Sequence, residues 1–113
     1  VNVEGLIVAA TNAALPDEMF MEVPADRPTR FYTVERVGGP RRDVRDLPLV
    51  AVHAWAGSRW EASEMATGFA SFLSSLAVTH PNVARVDIES VYNNPDPDSE
   101  HPRYQVNAQI ITT

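Results

Sequence analysis

The side chains able to do chemistry are few and scattered. The three histidines are His53, His80 and His101, and none has a second histidine two, three or four residues away. The local spacing that lets one strand or helix present two imidazoles to a metal is therefore missing, and each reads as structural or solvated. Asp87 and Glu89 sit two apart in a strand-like run, where they would point the same way. Paired carboxylates can do acid–base work or hold magnesium. Two acids on a solvated strand face are the commoner case, and no lysine completes a nuclease set. Asn94, Asp96, Asp98 and Glu100 alternate like a calcium loop, but Pro95, Pro97 and the missing central glycine break that pattern. Ser58 lies in no G-x-S-x-G frame. Gly38-Gly39-Pro40 follows a strand-like run without the later glycine and helix start of a phosphate loop. The expectation is a chain with no catalytic residue, no cofactor and no metal.

Composition narrows the field further. At 113 residues the chain reads as a single domain with room for a core. There is no cysteine, hence no disulfide framework or thiolate chemistry. All nine basic residues are arginine, which removes Schiff-base chemistry and the phosphate-loop lysine. A formal charge of −6 argues against a nucleic-acid partner. No apolar run is long enough for a bilayer and no signal-like segment stands out, so neither a membrane nor a secretory leader is expected.

The element that would position everything else is a helix over 58–78. Ser58 and Glu61 fit a capping box, the Ser58 hydroxyl accepting from the Glu61 N–H and the Glu61 carboxylate reaching back to the Ser58 N–H. Ala62, Met65, Ala66, Phe69, Leu73 and Leu76 then recur on one arc, while serines, Thr67, Gly68 and Glu64 fill the other. Pro81 stops the run. A one-faced helix needs a sheet to lie on.

Asn2 caps an earlier helix that faces inward with Val3, Leu6, Ile7, Ala10 and Ala14 and ends before Pro16. Residues 19–23 form a short apolar run closed by Pro24, an edge strand or extended segment. Residues 31–37 and 49–56 read as strands, the second apolar on both faces and therefore central. Residues 83–92 alternate, with Ala84, Val86, Ile88 and Tyr92 on one face. Residues 103–112 alternate too, Tyr104, Val106, Ala108 and Ile110 inward, Arg103, Gln105, Asn107 and Gln109 outward. The expected fold is α+β, in the order α-β-β-β-α-β-β. It has a mostly antiparallel sheet of four to five strands with two helices on one face.

Three features are candidate contact surfaces. The loop over 38–46 is longer than a tight turn and carries Arg41, Arg42, Asp43, Arg45 and Asp46 without a burial pattern. Its mixed charges suit pairing with copies of itself, or else a solvated hairpin tip. Trp60 falls on the polar arc of the long helix, as an interface anchor or as a lid over the sheet edge. The polar outer face of the last two strands, with Arg103 and Gln105, is a third candidate.

The run Val23-Pro24-Ala25-Asp26-Arg27-Pro28, then Arg30-Phe31-Tyr32-Thr33-Val34-Glu35-Arg36-Val37-Gly38-Gly39, resembles the tail terminator proteins of long-tailed phages of actinobacteria. So do Val52-His53-Ala54-Trp55-Ala56 with the alanine-rich helix behind it. Tyr92-Asn93-Asn94-Pro95-Asp96-Pro97-Asp98, leading to Arg103-Tyr104-Gln105, completes the resemblance over nearly the whole chain. What it implies is a non-enzymatic virion protein, assembled in the host cytoplasm. It would form a homo-oligomeric ring, generally six-fold, on the head-proximal end of the tail tube, stop tube growth and meet the head–tail connector. Its partners would be copies of itself, the tail tube protein and the connector or stopper. Another neck protein, or a small ligand-binding domain with a pocket under the long loop, are the alternatives.

Overall fold

The computed structural model describes residues 2–39, 41–42 and 45–113, and no side chain between 41 and 46. The chain runs α1 (Val3–Ala14), β1 (Met19–Phe20), β2 (Phe31–Gly38), β3 (Arg41–Arg42), β4 (Arg45–Asp46), β5 (Leu49–Trp55), α2 (Arg59–Thr79), β6 (Val83–Asn93) and β7 (Arg103–Thr112). Five strands form one sheet in the order β1-β2-β5-β7-β6, and β3 pairs with β4 as a separate two-stranded ribbon. This is the expected α+β order. The sheet is mixed, however: β2, β5, β7 and β6 pair antiparallel, while β1 pairs with β2 in parallel. The central place of β5 follows from its apolar residues on both sides.

α2 forms where its sequence places it. The Ser58 side chain accepts from Glu61 N at 3.2 Å, and the six arc residues from Ala62 to Leu76 are all buried. Half of the capping box differs. Glu61 takes the Ser58 hydroxyl at 3.4 Å and the Arg30 guanidinium at 3.3 Å instead of the Ser58 N–H. Phe69 and Leu73 lie at the centre of a core shared with Val34, Val50, Val52, Val106, Ala108 and Ile110. Full burial of such side chains stabilises by ~1.5–3 kcal/mol each.

α1 joins the same core through Val3 and Ile7, with Thr11 completing its buried stripe, while Ala14 is exposed rather than inward. The Asn12 amide holds β1, accepting from Met19 N at 2.7 Å and donating to Met19 O at 3.2 Å. That side chain imitates a neighbouring strand. It stabilises a β1 of two residues, where the sequence suggested up to five.

Two bulges in β6 shift its alternation. Pairing with β7 skips Ala84 and Glu89, so Val83 is buried in place of Ala84. Beyond Glu89 every side chain changes face. Tyr92 therefore pairs with Gln105 on the open side, not with Ile88 on the core side. Glu89 becomes the extra residue and does not stand beside Asp87, whose partner is Arg85 at 2.9 Å.

Candidate interaction surface

Both helices lie on one face of the sheet, so among the described residues no helix covers the other face. Alternation decides what it carries: Phe31, Thr33 and Glu35 from β2, Ala51, His53 and Trp55 from β5, Arg103, Gln105 and Asn107 from β7.

At one end of this face the aromatic rings supply the order. Phe31, Trp55 and Arg103 are directly opposed across three strands. The Phe31 and Trp55 rings stack at 5.3 Å and 8°, with the Arg103 guanidinium 5.0 Å and the Arg27 guanidinium 5.4 Å from the Trp55 ring. Trp55 Nε1 donates to Thr33 Oγ1 at 3.0 Å. Such cation–π contacts favour a desolvated arginine over an aromatic face.

A ladder of amides continues across the strands. Gln105 Oε1 accepts from Asn94 Nδ2 at 2.6 Å and from His53 Nε2 at 2.9 Å. Its Nε2 donates to Asn107 Oδ1 at 2.8 Å, and Asn107 Nδ2 donates to Ser90 Oγ at 3.2 Å. Because a glutamine oxygen only accepts, His53 carries its proton on Nε2. Burial pushes the His53 pKa below its ordinary 6.5; the bond to Gln105 opposes this and Arg103 adds to it.

Arg103 and Gln105 were expected as free outer-face contacts. They do point outward from the core, but both are engaged within the subunit. Arg103 Nε donates to Asn94 O at 2.8 Å, its NH1 lies 3.9 Å from Asp96, and only 12% of its side chain is exposed. The loop over 94–102 is folded down by these bonds. Asp96 closes it by accepting from the Ser99 hydroxyl and, at 3.2 Å, from Ser99 N. Those bonds, the Asp98 backbone and Arg103 hold the Asp96 carboxyl below the usual carboxylate range. Of the residues that suggested a calcium loop, Asp96 thus shapes a turn. Among the described residues no group of three or more His, Asp or Glu is placed to hold a metal ion.

Between this loop and the segment over 21–27 runs a cleft of about 380 Å³. Thr33, Glu35, His53 and Trp55 form its floor, Glu22 and Arg27 one wall, Asp96, Asp98 and Arg103 the other. It lies toward the β5 C-terminus; the pocket expected under the long loop falls outside the described residues. Its hydroxyl accepts from Trp55 Nε1, and its imidazole is bonded through Nε2 to Gln105. The four carboxylates outnumber the two guanidiniums.

Trp60 is 72% exposed in the first turn of α2, which removes the reading of a lid folded over the sheet edge. The structure does not bring it together with the arginine ribbon. The ribbon precedes Leu49 and Trp60 follows Trp55, so β5 separates them by roughly 20 Å at ~3.3 Å per residue. The ribbon itself is a paired element, Arg41 opposite Asp46 and Arg42 opposite Arg45, rather than a featureless loop. Gly39 at its base has φ +97, and a Cβ there would meet Leu47 O at 2.1 Å, so only glycine fits. The expectation for Asp43 falls outside the described residues, as do the side chains of Arg41, Arg42, Arg45 and Asp46.

Sequence reading missed the Trp55 stack and the amide ladder. Their signal was the strand register, which puts residues 31, 55 and 103 in one row, and register is not visible before the strands are paired. No helix among the described residues is long and apolar enough to cross a membrane. No protein-family model matches the chain, and no curated protein matches it.

Proposed function

We propose that this chain is a structural subunit of a phage tail, a terminator that assembles as a ring on the tail tube. The observation that carries the reading is the one-sided build of the domain. One sheet face is sealed by helices, while the open face and an exposed Trp60 are unlike surfaces, to which the sequence adds the charged stretch over 41–46. Rings close through heterologous contacts, in which one patch meets a different patch on the next copy. The sequence resemblance supplies the setting: tail tube below, connector above, six copies around. Single charge pairs at such rims contribute only ~0–1 kcal/mol, yet each repeats in every subunit.

The test is complementation of a phage lacking its terminator. Wild-type protein restores tails of uniform length that join heads. Replacing Arg41, Arg42 and Arg45 together by Ala leaves the monomer folded and yields overlong or headless tails. Full complementation by that triple variant would reduce the ribbon to a solvated tip, and failure of the wild type to complement would remove the terminator reading.

A further inference from the structure

We propose that Trp60 of one copy seats in a pocket beside Trp55 of a second copy, which returns the contact, so that two free subunits pair about a two-fold axis. The receiver is a cavity of about 270 Å³ where β5 gives way to α2. Phe31, Trp55, Pro28 and Gly57 line it with apolar surface, Arg27 and His101 with polar groups. Small-molecule sites hold ~300–1,000 Å³, so this one suits a single large side chain. Trp60 is such a side chain. Of the chain's two tryptophans it is the exposed one, and it stands on the first turn of α2. Tryptophan is among the residues that most often anchor an interface from within a pocket.

Donor and receiver are neighbours on the surface. Gly57 and Trp60 are three residues apart. Arg30, which follows the pocket residue Thr29, bonds Glu61, which follows Trp60, at 3.3 Å. Trp60 nevertheless stays out of its own pocket. A patch that carries knob and socket side by side is self-complementary, and two copies satisfy both by facing each other. Charge agrees with this occupant. Arg59 beside the knob, and Asp26 and Glu100 beside the pocket residues Arg27 and His101, are exposed and form no ion pair among the described residues. Seating the indole brings Arg59 of one copy toward those acids of the other. The Arg27 guanidinium lies 5.4 Å from the Trp55 ring, and its second face can stack on the incoming indole. Area sets the strength. Two indoles at ~150–250 Å² each, matched by a similar area of pocket wall, stay under the ~1,200 Å² of a stable complex. The dimer is therefore weak and forms at high subunit concentration.

The test is NMR on isotope-labelled and unlabelled wild-type protein mixed at millimolar concentration, read with filtered NOEs that report only contacts between copies. These should join the Trp60 indole to Phe31, Pro28 and Thr29. Sedimentation should show a monomer–dimer step. Trp60→Ala, made on an exposed side chain, should keep the thermal midpoint and weaken that step at least about tenfold. Arg59→Glu should weaken it several-fold, and adding Asp26→Arg and Glu100→Arg to the same chain should restore it. A monomer at millimolar concentration, NOEs from Trp60 to another surface, or a dimer that Trp60→Ala leaves unchanged overturns the proposal. The contact does not rest on the ring reading. A dimer from protein that caps no tails keeps this contact and removes the terminator reading, while capping by protein that forms no dimer does the reverse.

Discussion

The two faces of β5 are built on different physics. Toward the helices it turns Val50, Val52 and Ala54 into a core closed by Phe69 and Leu73. Toward the open side it turns Ala51, His53 and Trp55, which are covered by irregular chain, by guanidiniums and by a line of amides. The first face is held by area removed from water and is indifferent to direction. The second is held by directional bonds, each of which exposes an unpaired group when broken. A face of this kind can be well ordered and still offer polar atoms and charges to a neighbour.

The largest expected effect lies on the core face. Phe69→Ala and Leu73→Ala should each cost ~2–5 kcal/mol in urea titrations, because each removes a buried side chain and leaves a cavity in the core. Near-wild-type midpoints for both would break the distinction between the faces. On the open face Gln105→Ala should cost ~1–3 kcal/mol, since His53, Asn94 and Asn107 all lose a partner. Faster amide exchange confined to residues 94–102 should accompany it, and protection unchanged there would show that the ladder does not hold the loop.

These two sets of residues were unequally legible in the sequence. The buried face of α2 was legible because an N-cap and a 3.6-residue arc are local signals, and the six buried positions coincide with the arc. β5 was legible as central because its apolar residues fill both faces. The turn of Tyr92 onto the open side was not, because a bulge inserts one residue without any change in composition. Arg103 was assigned outward correctly, yet outward looked like solvent. Its burial depends on Trp55 and Asn94, which are 48 and nine residues away. The parallel pairing of β1 depends on Asn12, a helix side chain that no strand pattern contains.

The pH dependence sharpens the comparison further. His53 titrates below 6.5 in the folded chain, so the unfolded chain binds more protons in the window just under that value. The stability associated with neutral His53 is present above its unfolded pKa and is lost as pH falls through the folded one. Thermal midpoints should drop across this window in the wild type and stay flatter in His53→Gln. An equal slope in both would place the titration elsewhere.

The smallest expected effect is a gain. Thr11 is fully buried in α1, and its Oγ1 has no hydrogen-bond partner among the described residues. Thr11→Val keeps the shape and removes the orphaned hydroxyl, which should stabilise by ~1 kcal/mol. A loss of stability would reveal a hidden partner and make the core face less purely apolar than it stands.

The terminator reading meets its most direct test at the tube itself. Purified subunits mixed with purified tail tubes can be imaged by electron microscopy, with averaging of the tube ends. The expected result is a closed ring of density on one end of each tube, and tubes that no longer lengthen when free tube protein is added. Bare ends with continued growth, or protein scattered along the tube wall, would contradict it.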